Sequence, residues 1–259
     1  RNKSVDILYY SEIFQNSGFQ RRLLKFGKGI LIKKTASGSF NTIRMKISFD
    51  DLKTLYLPKP PIKEQKSISY FLNEKTATID KIIDHLKIKN KLLKEKHSVL
   101  ITEAVTKGLK TDTTMKDTGL DWYPEIPSHW NLRKVKNIAS TMPSNVDKKK
   151  YDGQEEVRLA NYVDVYKNDR ITEHLNLMIA TASENEISKF SLISGDLIIT
   201  KDSEVWNDIA VPAFVPKTME GVVCGYHLTL IRPNQEYILG EFLFRTYQTL
   251  GVRDQYHYN

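Results

Sequence analysis

The sequence predicts an α+β chain, with mixed, curved-sheet domains joined by one long coiled-coil helix. Three observations predict it. No proline or glycine occurs from Ile62 to Lys107, and apolar residues recur there every seven positions. Short apolar runs separated by polar turns fill the C-terminal half. A short motif near the N-terminal end returns near the C-terminal end.

Residues 1–60 read as a compact mixed segment. A helix is expected over Val5–Gln15, with Gly18 after it as a stop. A turn-rich stretch, Thr35-Ala-Ser-Gly-Ser-Phe-Asn41, precedes the alternation of Ile43, Met45 and Ile47, which predicts a short strand. Pro58, Pro60 and Pro61 then punctuate the chain. Proline suits the first turn of a helix, where its missing N–H would have no helical partner. The predicted helix runs from about Ile62 to Lys107, and Gly108 supplies its stop. At 1.5 Å per residue it is about 65–70 Å long.

Leu72, Ile79, Leu86, Leu93 and Leu100 form a strict heptad, and the companion position carries Thr76, Ile83, Asn90, His97 and Ala104. Such a repeat calls for a partner helix, because a lone stripe would face water. Asn90 and His97 are costly on a seam, and polar seam residues commonly fix register or orientation. An ordinary bundle helix with two polar edges is the competing reading. Lysines 81, 87, 89, 91, 94 and 96 form either a solvated face or a contact for DNA phosphates or an acidic partner.

Residues 109–118 are polar and read as a linker. A second globular region starts near Gly119 and holds strand-like runs at Val157–Leu159, Leu197–Thr200, Ile209–Val211 and Leu228–Ile231. A helix is expected over Gly240–Thr249. Phe14-Gln-Asn-Ser-Gly18 matches Tyr247-Gln-Thr-Leu-Gly251, and both follow an aromatic-rich helical run. If the match is a repeat, the chain holds the tail of one domain, a helix, and most of a second domain of the same kind.

The 259 residues carry a net charge of +8, which points to an anionic partner, nucleic acid before a membrane surface. Cys224 is the sole cysteine, so no internal disulfide and no thiolate zinc site is available, in keeping with a cytoplasmic protein. No apolar run approaches the roughly 18 residues of a membrane helix. The chain starts at Arg1 without a methionine and ends after a Tyr-His-Tyr run, and both ends read as cut.

Pro60-Pro-Ile-Lys-Glu-Gln65 runs straight into the long helix, which closes with Leu100-Ile-Thr-Glu-Ala-Val-Thr-Lys-Gly108. Lys116-Asp-Thr-Gly-Leu-Asp-Trp-Tyr-Pro-Glu-Ile-Pro-Ser-His-Trp130 follows. Together these boxes resemble the central region of type I restriction–modification specificity subunits. In that family a Pro-Pro-x-x-Glu-Gln box opens a conserved helix, and an Asp-Ser-Gly-x-x-Trp-x-Gly-x-Ile-Pro-x-x-Trp box opens the next target-recognition domain. Here Thr118 replaces the usual serine, and Tyr123-Pro124 surround the usual glycine position. Ser194–Asp202 and Val222–Leu228 resemble interior segments of such domains.

The resemblance implies a division of labour. Two target-recognition domains each read one half of a split site in double-stranded DNA, and two antiparallel helices set the gap. The helices dock methyltransferase subunits and, through them, restriction subunits, for DNA methylation and defence against foreign DNA. S-adenosylmethionine, ATP and Mg²⁺ belong to those partners, and the chain itself is non-catalytic. Residues 1–60 would be the C-terminal part of a first recognition domain, 61–108 the spacer helix, 109–118 the linker, and 119–259 a second recognition domain lacking its C-terminal part. Residues 1–60 and 119–259 would then complete each other, within one chain or across a two-fold dimer paired through the helix.

Reading DNA needs planar polar groups at base edges and basic groups at phosphates. Asn145 with Lys148, Lys149 and Lys150 forms one candidate loop, and Lys201, Asp202, Ser203 and Trp206 form another just after a strand. Asn161, Tyr162, Tyr226 and His227 are further candidates, as are Thr35, Ser37, Ser39, Asn41 and Arg44 in the first segment. For each the competing reading is structural: a solvated loop, a hairpin with Trp206 in the core, a satisfied histidine.

No phosphate-binding glycine loop or methyltransferase box occurs. A metal-dependent nuclease would need clustered carboxylates near a lysine, for which Asp196 with Lys201, or Glu64 with Lys66, are the nearest candidates. A long-helix scaffold without DNA affinity is the other alternative.

Overall fold

The computed structural model describes residues 5–23, 32–34, 40–42, 47–205 and 208–257, with side chains at 5–23, 47–205 and 208–255. The chain divides into two units, Arg1–Asn90 and Lys91–Asn259, and each is described by itself.

In the first unit, α1 spans Ile7–Gln15 and α2 spans Ser17–Leu23. Asp6 caps α1 by accepting from the Tyr9 amide. Gly18 does not end a helix, contrary to the sequence reading; it is the second residue of α2. The break falls at Asn16, which leaves helical geometry at ψ 126°, and its Oδ1 accepts from the Gly18 and Phe19 amides. One asparagine thus closes α1 and caps α2. β1 (Ile32–Lys34) and β2 (Phe40–Thr42) pair antiparallel. The strand expected over Ile43–Ile47 lies outside the described residues except for Ile47, which is not in a strand. A short helix α3 covers Phe49–Lys53.

The long helix α4 spans Ile62–Lys107, 46 residues, or about 69 Å at 1.5 Å per residue. Gly108 ends it with a φ of 78°, a conformation glycine adopts without strain. Its first turns are anchored and its middle is bare. Gln65 and Ser69 are buried; the Gln65 Oε1 accepts from the Asp6 amide at 2.9 Å, and its Nε2 donates to the Pro60 carbonyl at 2.7 Å. The Gln of the Pro-Pro-x-x-Glu-Gln box therefore clasps the start of α1. Every residue from Asn73 to His97 is exposed, the seam positions Ile79, Ile83, Leu86, Asn90 and Leu93 among them; Leu100 is exposed too, while Leu72 is half-buried.

In the second unit, β3 (Met115–Asp117) pairs with β4 (Glu125–Pro127), so part of the polar segment 109–118 is strand. A four-stranded sheet runs in the order β5 (Ala139–Pro143), β11 (Leu228–Pro233), β8 (Leu197–Thr200), β9 (Pro212–Phe214), all antiparallel. A three-stranded sheet runs β10 (Val222–Cys224), β6 (Glu155–Ala160), β7 (Met178–Ala182), with β10 parallel to β6. Short helices α5 (Tyr162–Lys167) and α6 (Glu184–Phe190) follow β6 and β7. Val157, Leu159, Ile198, Leu228 and Leu230 belong to one core cluster, whereas Leu197, Ile199, Phe214 and Phe244 belong to a second. β8 is thus covered on both faces, which is why it reads as an unbroken apolar run. The run Ile209–Val211 is not a strand: Ala210 has a φ of 60°, and the Thr200 carbonyl and hydroxyl hold the Ala210 and Val211 amides in a turn, so β9 begins at Pro212.

The chain closes with α7 (Gly240–Tyr247) and α8 (Leu250–His257). Gly18 and Gly251 are 233 residues apart, and the same offset carries the first residues of α1 and α2 onto those of α7 and α8. The short sequence match is therefore a repeat of a helix–break–helix unit. Residues 119–259 contain one copy of this unit. Among the described residues no helix is long and apolar enough to cross a membrane.

Candidate nucleic-acid interface

Strand direction decides where the candidate loops emerge. β11 starts opposite the ends of β5 and β8, in the pairs Thr229 with Pro143 and Leu228 with Thr200. β10 ends beside the end of β6, with Cys224 opposite Ala160. The loops after β5, β6, β8 and β10 consequently leave at one end of the two sheets. Hydrogen bonds tie them together there. The Ser144 Oγ donates to the Cys224 carbonyl at 2.6 Å, and the Gly225 amide donates to the Ala160 carbonyl at 2.9 Å. Gly225 has no room for a side chain, since a Cβ would lie 2.7 Å from that carbonyl oxygen.

Lys201 is the staple of this end. Its Nζ donates to the Tyr226 carbonyl at 2.7 Å and to the Ser144 carbonyl at 3.3 Å, so one ammonium joins three loops. His227 Nδ1 lies 2.7 Å from the Asp202 carboxylate, and its ring sits 3.7 Å from that of Tyr226. The Tyr162 hydroxyl donates to Ser203 at 3.3 Å. Asn161 caps α5 in a reciprocal box with Asp164, which commits its side chain to the fold. Asn145 donates to Glu186 at 2.8 Å on the surface. The structure thus brings Asn145, Asn161, Tyr162, Lys201, Asp202, Ser203, Tyr226 and His227 to one end. Glu204 stands beside Lys201-Asp202 in sequence, so the charge there is mixed.

The lysine run does not join them. The Lys149 carbonyl accepts from the Thr181 amide, the Tyr151 amide donates to the Thr181 hydroxyl, and Lys150 pairs with Glu156 at 2.9 Å. Lys149 and Lys150 therefore lie by the start of β6, about 16 Å along that strand from Asn161 at 3.3 Å per residue. Lys148, Lys149 and Lys150 are exposed. Trp206 lies outside the described residues, as do Thr35, Ser37, Ser39 and Arg44; Asn41 is described as part of β2 by its backbone alone.

Tyr166, which the sequence reading passed over, stacks on Tyr162 at 5.7 Å with ring planes 13° apart. The Asp208 carboxylate raises its phenol pKa by hydrogen bond and charge. The signal was the four-residue spacing of the two tyrosines on a helix face.

Asp196 is spoken for. Both its oxygens bind Arg232, at 2.9 and 2.8 Å, and one also accepts from the Ile193 amide. Burial pushes the Cys224 thiol far up, so it holds its proton. Among the described residues no group of three or more His, Cys, Asp or Glu is placed to hold a metal ion.

No family model matches the sequence, and neither does any curated protein. Among the solved structures that resemble the fold are these two. One is the HsdS subunit from Thermoanaerobacter tengcongensis, at 14% identity, with a TM-score of 0.45 over 98% of this chain and 54% of that one. The other, from work on complex assembly and conformational transition of the type I R-M system, aligns at 11% identity with a TM-score of 0.60 over 97% of this chain and 54% of that one. The chain therefore spans about half the length of either. In fold, this α+β chain with its long helix is similar to a structure from the type I R-M system.

Proposed function

We propose that the chain is the DNA-reading specificity subunit of a type I restriction–modification complex, or a large piece of one. The convergence of four loops at one sheet end carries this reading. It gathers amide, imidazole, phenol, hydroxyl and ammonium groups on a rigid platform, which is what base-edge recognition requires. The exposed lysines 148–150 act at the backbone of the duplex, away from the base-reading end. The similar fold at a TM-score of 0.60 supports the same role.

The long helix separates two readers of a bipartite target. Its seam takes a partner helix, in the first instance that of a second copy. An antiparallel pair with Asn90 near its midpoint brings Leu86 close to Leu93 and Ile79 close to Leu100 across the seam and the two Asn90 side chains near each other, so the polar residue specifies the register. A second exposed stripe, Ile88, Leu92 and Val99, lies roughly 100–160° round the helix from Leu86. It remains free when the seam is filled and offers a dock for a methyltransferase subunit and, beyond it, a restriction subunit. The chain contributes no catalysis. S-adenosylmethionine, ATP and Mg²⁺ are held by the partners, and the complex works in the cytoplasm.

Anisotropy with a labelled DNA duplex tests the reading. Binding should weaken steeply as salt rises from 50 to 200 mM, by about tenfold or more for a few phosphate contacts. A chain with no salt-dependent affinity would be a scaffold, and Mg²⁺-dependent cleavage by the chain alone would make it a nuclease.

A further inference from the structure

The two copies of the helix–break–helix unit have different neighbours. In the second unit the pair α7–α8 is covered by the segment 117–130. Trp130 packs edge-to-face on Phe242 at 6.1 Å. The Tyr123 hydroxyl approaches Thr249 at 3.4 Å. Gly251 is the point of closest approach: a Cβ there would lie 2.7 Å from the Trp122 carbonyl oxygen and 2.8 Å from the Tyr123 ring. A helical glycine costs about 1 kcal/mol relative to alanine, and this contact explains why one is kept.

The 233-residue offset carries Phe242, Thr249 and Gly251 onto Tyr9, Asn16 and Gly18. All three line one open cleft of about 450 Å³ in the first unit, together with Phe19, Ile68 and Leu72. Gly18 also has no positive φ to require glycine, and a Cβ there would meet only the end of the Asn16 side chain, at 3.0 Å. Among the described residues of the first unit no contact accounts for this glycine, whereas its equivalent is explained by an aromatic segment pressed against it.

We propose, independently of any DNA-reading role, that the cleft seats a partner polypeptide segment of the Gly-x-x-Trp-Tyr-Pro…Trp kind. It would lay a main-chain carbonyl on Gly18, bring an aromatic hydroxyl to Asn16, and place an indole against Tyr9. The occupant is a second segment of this type and not residues 117–130 of another copy, because those are engaged on α7–α8 in their own chain.

The test is a fluorescein-labelled peptide with the sequence of residues 117–130, titrated by anisotropy into the full chain and into Gly18→Ala. Alanine favours the helix, and its Cβ would press only on the Asn16 side chain, which must give by a few tenths of an ångström, so the variant should fold; a thermal melt and the circular dichroism of the variant check this. Saturable binding below about 1 mM, weakened about tenfold or more in Gly18→Ala and lost when both peptide tryptophans become serine, is the expected result. No binding up to that concentration overturns the proposal. So does equal binding to Gly18→Ala, which would mean that the peptide displaces the segment on α7–α8. Self-association that Gly18→Ala abolishes, without peptide binding, would also overturn it by making a second copy the occupant.

Discussion

Replacing Leu86 and Leu93 together by alanine is the sharpest test of the helix seam. The two residues are 59% and 55% exposed in the single chain, so more than half of each side chain is left to bury. Full burial of a leucine is worth about 1.5–3 kcal/mol. Scaled by the exposed fraction, and allowing for the methyl that alanine keeps, each leucine contributes about 1 kcal/mol to a helix pair. In a two-fold antiparallel pair the double variant removes four such leucines, or about 4 kcal/mol. That weakens dimerisation roughly 1,000-fold. If the stripe faces water instead, the same change alters stability by no more than about 0.5 kcal/mol, because alanine is the best helix former. Sedimentation equilibrium across micromolar concentrations reads the difference. The wild type should show a dimer mass and the variant a monomer mass, with the circular dichroism of the isolated chains otherwise alike. A wild-type chain that is strictly monomeric at these concentrations, or a variant that dimerises equally well, would refute the second copy as the seam's partner.

Two further outcomes follow from buried groups. Gln65→Leu strips the partners from the Asp6 amide and the Pro60 carbonyl, at a cost of about 1–3 kcal/mol. Hydrogen exchange should accelerate about 10–100-fold over α1, with β6, β8 and β11 unchanged; unaltered exchange at α1 would show that Gln65 is not its clasp. Burial raises the Tyr123 phenol above its ordinary value of 10.0, against a lowering hydrogen bond from Thr249. The neutral form is thus favoured in the folded state, so stability is intact below pH 10.0 and falls as pH climbs through the raised value. Tyr123→Phe should flatten that alkaline loss in thermal melts, and an identical pH profile would count against the buried phenol as its source.

Elements that declare themselves by a local pattern were legible in the sequence. α4 follows from its heptad and its lack of breakers, β8 and β11 from apolar runs, and α7 from its aromatic face. Other elements depend on contacts that no local pattern records. α2 contains Gly18, which reads as a breaker until the Asn16 cap is seen. β3 is Met-Lys-Asp, a strand with no apolar alternation, held by pairing with β4. β9 was displaced by a few residues because Thr200 organises the preceding turn. The candidate interface was half legible. Its polar loops could be found one at a time, but their meeting depends on the parallel pairing of β10 with β6, some 60 residues apart. Lys149 and Lys150 share a candidate loop with Asn145, and a bond from Tyr151 to Thr181 helps carry them to the other end of β6. Lys201, a candidate DNA contact by sequence, also holds the loops together, a role that requires carbonyls from two other loops.

Mapping of methylated bases in DNA after co-expression of this chain with its cognate methyltransferase subunit tests the central claim most directly. The account predicts modification confined to a bipartite sequence with a fixed gap, palindromic if two copies of this chain pair through the helix and asymmetric if a longer tandem supplies both readers. Modification without sequence preference, or none above the methyltransferase alone, would contradict it.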